Sequence, residues 1–172
     1  MAATYTICSP GVTFGSSKSM LAVFNGVGSG VVLRVYRAWQ LNNQTVAVTG
    51  VLTTMALRRS TAQSGGTTVA PTKHDSTSSA LPAQVLIASG ATVTDSSDPD
   101  FMRWMWSNDE PAASSLTSDE TETIPVLANV YDATGDSNLV PILLREGEGV
   151  HIKHLGASTV GNADMILVIT AT

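Results

Sequence analysis

The chain has 172 residues, of which 43% are hydrophobic and only 13% are charged, and its net charge is −5. This length fits one compact domain, so we predict a single domain over residues 1–172. The densest basic stretch is the pair Arg58-Arg59, whereas nucleic-acid binding needs several cationic contacts, so we expect no nucleic-acid partner. Cys8 is the only cysteine, which excludes an internal disulfide framework. The N-terminus lacks a signal-peptide pattern and no apolar run reaches the ~18 residues of a membrane span, so we expect a soluble protein without a membrane partner.

In the N-terminal half, apolar residues recur with the alternation of β-strands. We predict an N-terminal arm over residues 1–18 and strands over Ser19–Phe24 and Val31–Leu41, separated by the turn-rich sequence NGVGSG. A third strand is predicted over Thr45–Leu57, with a bulge or bend near Gly50. Alternation places the more apolar face of the second strand toward the core; that face carries Val31, Leu33, Val35, Arg37 and Trp39.

The middle of the chain is dominated by one long segment without periodicity. Ser60–Ala80 is rich in Ser, Thr and Gly, and an irregular segment of this length usually has a functional or clamping role. A short strand is predicted over Gln84–Ala88, followed by a turn-rich connection over Gly90–Asp100. The next sequence, FMRWMWS, predicts a strand with Met102, Trp104 and Trp106 on one face.

The C-terminal part predicts further strands. Thr123–Tyr131 follows an acidic loop over Asn108–Glu122, and Val140–Leu144 and Val150–Leu155 flank the turn REGEG as a hairpin. The last strand, Met165–Thr170, is expected to be buried on both faces. The sum is eight or nine strands in an all-β, antiparallel β-sandwich (jelly roll) with long loops. The predicted core comprises Val31, Leu33, Val35, Trp39, Trp104, Trp106, Leu127, Ile142, Leu144, Ile152 and the last strand.

The candidate chemical sites are few. His151 and His154 lie three residues apart on a predicted strand, so they point to opposite faces and cannot bind one metal ion. The jelly-roll metalloenzymes called cupins carry His-x-His instead. The sequence DSSDPD, with Asp95, Asp98 and Asp100, is interpreted as an acidic turn, and calcium binding there is left open. There is no Gly-x-Ser-x-Gly elbow, although a triad of distant residues is not excluded by sequence. We predict no catalytic, cofactor or metal residues, and no enzymatic activity.

Several segments resemble the small jelly-roll decoration, or cement, proteins of tailed-phage capsids. The resemblance rests on the N-terminal strand TYTI, the strand VLRVYRAWQL and the closing pair PILLREGEGVHIKH and MILVIT. The loop RRSTAQSGGTTVAPTKHD is similar to the R-x-T…GGT…P-x-K-x-D loop of such proteins. The resemblance implies a non-enzymatic virion protein on the outer surface of the capsid, made in the host cytoplasm. Its implied partners are the major capsid protein and copies of itself, as a dimer or trimer.

The composition is compatible with such a role, because low charge and many small hydroxyl residues suit a surface that neighbouring subunits cover. The predicted contacts come from the N-terminal arm and the Ser60–Ala80 loop. Their expected polar anchors are Arg58, Arg59, Lys73, His74 and Asp75. Two alternatives stay open: a tail-associated receptor-binding or baseplate β-sandwich, and a cupin-like metal-dependent enzyme.

Overall fold

A computed structural model describes residues 2–42, 51–108, 127–135, 139–157 and 161–172. In these ranges every regular element is a β-strand, which confirms the predicted all-β class. The strands are β1 Ala3–Thr13, β2 Ser19–Asn25, β3 Leu33–Asn42, β4 Val51–Ser64, β5 Thr67–Thr68, β6 Thr72–Lys73, β7 Val85–Ser89, β8 Thr92–Asp95, β9 Met102–Asn108, β10 Leu127–Asp132, β11 Ile142–Leu144, β12 Glu148–His154 and β13 Asn162–Ala171. The count of thirteen exceeds the eight or nine expected, because short strands such as β5 and β6 lie within segments predicted to be loops.

The strands form two antiparallel sheets that pack face to face, so the predicted β-sandwich is confirmed. Sheet A has the order β10-β3-β13-β1-β6, with β11 also paired to β3. Sheet B has the order β5-β7-β2-β12-β4-β8, with β9 also paired to β4. The pairing is nested: β1 pairs with β13, β2 with β12, β3 with β10 and β4 with β9. Consecutive strands from β1 to β4 alternate between the sheets, as in a long hairpin rolled up on itself.

The core lies between the two sheets and follows the alternation of their strands. On β13, Met165, Leu167 and Ile169 are fully buried, while the intervening residues are only half-buried. The expectation that this strand is buried on both faces is therefore wrong. Of the other predicted core residues, Leu33, Val35, Ile142, Leu144 and Ile152 are buried, and Val31 and Trp104 pack against the core while partly exposed. The side chains of Trp106 and Leu127 lie outside the described residues.

Trp39 was expected in the core but lies on the outer face of sheet A. The pairing of β13 with β3 shifts register between Val168 and Ile169, so that β3 carries one extra residue at this point. A bulge of this kind reverses the inward and outward positions beyond it. Ala38 and Gln40 are therefore buried instead, while the Trp39 indole nitrogen donates to Asn129 Oδ1 at 3.1 Å.

The segment predicted as an N-terminal arm is an integral strand. β1 lies between β13 and β6, and its residues Tyr5 and Ile7 are buried in the core. The arm prediction over residues 1–18 is therefore wrong for Ala3–Thr13. The pairing of β1 with β13 shifts register at Pro10-Gly11 and resumes at Val12; an irregularity of this kind disfavours pairing with a foreign strand at a sheet edge.

The predicted hairpin around REGEG is also wrong, because its two strands belong to different sheets. β11 pairs with β3 in sheet A, whereas β12 lies between β2 and β4 in sheet B. The intervening turn is a corner that carries the chain across the sandwich. Glu148 Oε2 accepts from the Arg145 amide at 2.7 Å, and Glu146 Oε1 accepts from the Gly30 amide at 2.8 Å. Glu146 is thus a turn residue, as the sequence indicated, whereas Glu148 is the first residue of β12.

Candidate functional site

Residues 65–82, which we call the strap, cross the open side of the sandwich. The strap begins with two glycines at positive φ, 63° for Gly65 and 83° for Gly66. At Gly66 a Cβ atom would lie 2.7 Å from the Ser89 carbonyl oxygen, so this close approach requires glycine. The predicted irregular loop over Ser60–Ala80 is correspondingly shorter, because Ser60–Ser64 belongs to β4.

The strap is attached to both sheets. Its strand β5 pairs with β7 of sheet B, and its strand β6 pairs with β1 of sheet A. Val69 and Leu81 pack against the core, and the Tyr5 hydroxyl donates to the Ser79 carbonyl at 2.7 Å. The strap is therefore part of the fold, and it holds a polar outer surface in a fixed position.

The predicted anchors Lys73, His74 and Asp75 lie together on the exposed side of the strap. His74 Nε2 is 2.8 Å from Thr6 Oγ1 on β1. Asp75 accepts from the amide and hydroxyl of Thr77, and these two hydrogen bonds lower the pKa of its carboxyl. Beside them is an open groove of about 680 Å³, lined by the strap, the first residues of β1 and the end of β13. His74 and Asp75 thus belong to the lining of the groove, and Lys73 precedes them on the exposed side of the strap.

The other two predicted anchors lie elsewhere, on successive residues of β4 that point to opposite faces of sheet B. Arg59 donates to the Leu143 carbonyl at 3.1 Å and forms an ion pair of 3.4 Å with Glu148 near the corner. Its guanidinium also lies over the Phe101 ring, 5.3 Å from the centroid. Arg58 donates to Asp100 Oδ1 at 2.5 Å and to Asp95 Oδ2 at 2.8 Å on the outer face. The five residues therefore do not form one site, and their role as interface anchors stays a prediction.

Arg58 belongs to a group of charged side chains that we call the ionic cluster: Arg58, Asp95, Asp100, Arg103, His151 and Lys153. Asp95 is its centre, because it also accepts from Lys153 Nζ at 2.6 Å. Burial alone would raise the pKa of the Asp95 carboxyl, but the hydrogen bond from Lys153 and the nearby cations hold it below its ordinary value. Asp100, bonded to Arg58 and Arg103, has a lowered pKa for the same reason.

Within the cluster, Ser19, His151 and Asp95 form a continuous hydrogen-bond chain. Ser19 Oγ lies 3.1 Å from His151 Nδ1, and His151 Nε2 lies 2.9 Å from Asp95 Oδ1. With Nε2 protonated, the ring donates to Asp95 and accepts from the serine hydroxyl, so both ring nitrogens are satisfied. The ring is only 1% exposed, because Ala91 and Val93 pack over this face of sheet B against Ala22 and Ala88.

The hydrogen-bond chain of Ser19, His151 and Asp95 has the residue types of a hydrolytic triad, but the pKa of its histidine does not suit that role. Burial, together with the charges of Lys153 and Arg58, lowers the pKa of His151 to about 4, despite the opposing effect of Asp95. A general base works best with a pKa near the working pH, so this imidazole accepts a serine proton poorly near neutrality. Asp95 is also shared with two fixed cations, Arg58 and Lys153. The arrangement acts as a structural connection between β2, β8 and β12.

The described residues give little support to a metal site. His151 points to the outer face, whereas His154 points inward, stacks on Phe14 at 5.4 Å and lies 2.8 Å from the Gly15 carbonyl oxygen through Nδ1. The predicted divergence of the two histidines is therefore confirmed. In the described ranges, no group of three or more His, Cys, Asp or Glu residues could hold a metal ion. At the acidic turn, Asp95 and Asp100 face arginine and lysine side chains, and Asp98 Oδ2 accepts from Ser96 Oγ at 2.8 Å.

Sequence reasoning missed the ionic cluster because its members come from three distant segments. Only DSSDPD drew attention to Asp95 and Asp100, and as a possible calcium turn. Residues 92–95 were assigned to a connection, yet they form β8 against the end of β4. The sequence feature that could have indicated the cluster is the group of acidic residues in this turn, together with the cationic residues Arg58 and Lys153 in two predicted strands.

Comparison with protein-family models, with curated proteins and with solved structures found no match. Among the described residues, no helix is long and apolar enough to cross a membrane.

Proposed function

We propose that this protein is a non-enzymatic structural protein of a virion, a capsid decoration (cement) protein that binds the outside of a phage head shell. The observation that carries the proposal is the strap. It contains the GGT…P-x-K-x-D part of the sequence by which the chain resembles decoration proteins. It also presents a polar, exposed surface that is attached to both sheets, so little conformational entropy is lost when it binds a partner.

The nested strand pairing gives the proposal further support. A chain that folds as one long hairpin and rolls so that its strands alternate between two sheets has the connectivity of a jelly roll, the fold that the resemblance implies. The pairs β1–β13, β2–β12, β3–β10 and β4–β9 follow this scheme. We therefore infer a jelly roll in which the strap and β7 and β8 are an insertion between β4 and β9.

The proposed partners are the major capsid protein and copies of the chain itself. In the proposed mechanism, the strap and the adjoining groove contact neighbouring shell subunits and hold them together. Each contact can be weak, because many symmetric copies on one shell act together through multivalency. Ser, Thr and Gly side chains dominate the strap, and such a surface suits contacts that are partly bridged by water.

The proposed location of the protein on the capsid is tested by quantitative mass spectrometry of purified virions from the source. We expect many copies per particle, in simple proportion to the major shell protein. A few copies in multiples of three or six would favour the tail-associated receptor-binding alternative. Complete absence from the particle would refute both virion roles.

The strap is tested by substitution rather than deletion, because deleting it would remove β5, β6 and two side chains that pack on the core. We expect the double variant Lys73→Ala/His74→Ala to fold normally and to bind shells more weakly. The matched control is Arg145→Ala, an exposed arginine at the turn between β11 and β12. Equal shell binding by both variants would show that the strap is not the contact surface.

A further inference from the structure

A second polar crevice, separate from the strap, lies on the outer side of sheet B. One wall is the β1–β2 turn, Gly15–Ser19, and the other is Gly90–Val93 at the β7–β8 connection; His151 and Lys153 complete the lining. The Gly90 amide donates to the Ser19 carbonyl at 2.9 Å, which ties the two walls together. The crevice has a volume of about 460 Å³, enough for a small polar group carried on a larger molecule or free in solution.

The charge around this crevice is positive although the chain as a whole is negative. Two lysines line it, Lys18 and Lys153, of which Lys153 also forms an ion pair of 2.6 Å with Asp95, and none of its described lining residues is acidic. Lys18 Nζ donates to the neutral Thr13 carbonyl at 2.7 Å, and within the described part of the chain no salt bridge involves Lys18. Behind the crevice, the two arginines of the ionic cluster balance its two carboxylates, so that Lys18 and Lys153 leave a net positive charge. The local field therefore attracts an anion.

The side chains at the mouth also suit an anion. The hydroxyls of Ser16, Ser17 and Thr92 belong to the lining, and each can donate one hydrogen bond, whereas the Ser19 hydroxyl, also in the lining, lies 3.1 Å from His151 Nδ1. Ser17 has φ 55°, the only positive φ of a non-glycine residue in the described ranges. Such conformations are costly and concentrate at binding sites, which makes this turn different from the other turns of the molecule.

The position of Lys18 depends on the glycines of both walls. A Cβ atom at Gly15 would lie 3.1 Å from Lys18 Cδ, and one at Gly90 would lie 3.5 Å from Lys18 Cε. The aliphatic stem of Lys18 thus lies against two residues without side chains, one from each wall. The site is formed by three segments that the fold brings together: the β1–β2 turn, the β7–β8 connection and β12.

We propose that this crevice binds an oxyanion, either a carboxylate or a phosphate group, with Lys18 and Lys153 as the charged partners and the serine hydroxyls as additional donors. This site does not depend on the decoration role, because the strap and its groove share no lining residue with the crevice.

The test is a titration of isotope-labelled protein near pH 7, followed through its amide NMR spectrum, with inorganic phosphate in one series and acetate in another. Sodium chloride at matched ionic strength supplies the baseline. We expect saturable shifts confined to residues 15–19, 90–93 and 151–153. Shifts with phosphate alone or with acetate alone would each support the site and identify the oxyanion it selects.

The variant Lys18→Gln should weaken this binding about fivefold, as expected for one exposed ammonium contact. Lys73→Gln, which removes the same charge from the strap, should bind as the unmodified protein does. A well-dispersed spectrum will show that each variant is folded. The proposal is overturned if phosphate and acetate give only the shifts of the chloride series, or if Lys18→Gln binds as tightly as Lys73→Gln.

Discussion

The buried imidazole of His151 predicts a specific loss of stability in mildly acidic solution. In the folded protein its pKa is lowered from 6.5 to about 4, first by burial and then by the neighbouring cations Lys153 and Arg58. In the unfolded chain the ring is solvated and regains its ordinary pKa. Between these two values the unfolded state therefore binds a proton that the folded state does not, so the free energy of unfolding falls as the pH falls through this window.

The magnitude follows from the two pKa values. One pKa unit corresponds to ~1.4 kcal/mol, so lowering the pH from about 7 to about 4 removes about 3 kcal/mol of stability through His151 alone. This is a large part of the 5–15 kcal/mol that is typical of a folded domain. Asp95 and Asp100 have lowered pKa values, so their stabilisation is present above the ordinary carboxyl pKa and is lost only below about pH 4. The loss of stability through His151 therefore occurs at higher pH than the loss through Asp95 and Asp100.

The assay is urea unfolding followed by tryptophan fluorescence at a series of pH values. The variant His151→Gln retains an amide that can donate to Asp95 but does not titrate. We expect its stability to change little between about pH 6.5 and pH 4, whereas the unmodified protein loses about 3 kcal/mol. His74→Gln, at an exposed histidine on the strap, should keep the full pH dependence. Parallel pH profiles for the unmodified protein and His151→Gln would refute this account of the ionic cluster.

Three further predictions concern the stability of the fold, each measured as a change in the free energy of unfolding in urea. Leu57→Ala, at a fully buried position, should cost 2–5 kcal/mol, and a loss below about 1 kcal/mol would mean that the core collapses around the cavity. Arg58→Met leaves two partly buried carboxylates with fewer partners and should cost about 1–3 kcal/mol, a loss that should shrink at low pH as Asp95 and Asp100 become protonated. Gly66→Ala should cost more than Gly65→Ala, because only Gly66 has backbone atoms within 3 Å of the new Cβ, and equal losses would contradict the close packing of the strap.

Sequence predicted the positions of several strands closely. β2, β7, β12 and β13 were placed within a few residues of their observed bounds, and the β-sandwich follows from their number and spacing. Alternation mispredicts which side chains face the core where a bulge intervenes, as on β3. A single extra residue there moves Trp39 to the outer face, and the sequence does not show where that residue is. The predicted bend near Gly50 lies outside the described residues.

Pairing partners were the least predictable feature. A short turn between two strands favours a hairpin, but the turn after Leu144 carries the chain to the other sheet, because β3 and β4, which receive the two strands, belong to different sheets. The ionic cluster is hidden for the same reason: Asp95 and His151 are 56 residues apart and meet only when the sandwich is closed. Lys73, His74 and Asp75 could be identified from sequence as exposed polar residues, because that inference depends only on the polar residues that surround them in the chain.

The nested pairing also has a consequence for biosynthesis. β13, which leaves the ribosome after the other described strands, lies between β1 and β3 in sheet A, and β12 lies between β2 and β4 in sheet B. β1, β2 and β3 therefore wait for partner strands, β13 and β12, that are made more than a hundred residues later. Contacts of such high sequence separation fold slowly, and the unpaired edges of β1 to β4 are exposed meanwhile to pairing with other chains. A nascent chain of this protein is thus most vulnerable to aggregation in the interval before Asn162–Ala171 has emerged.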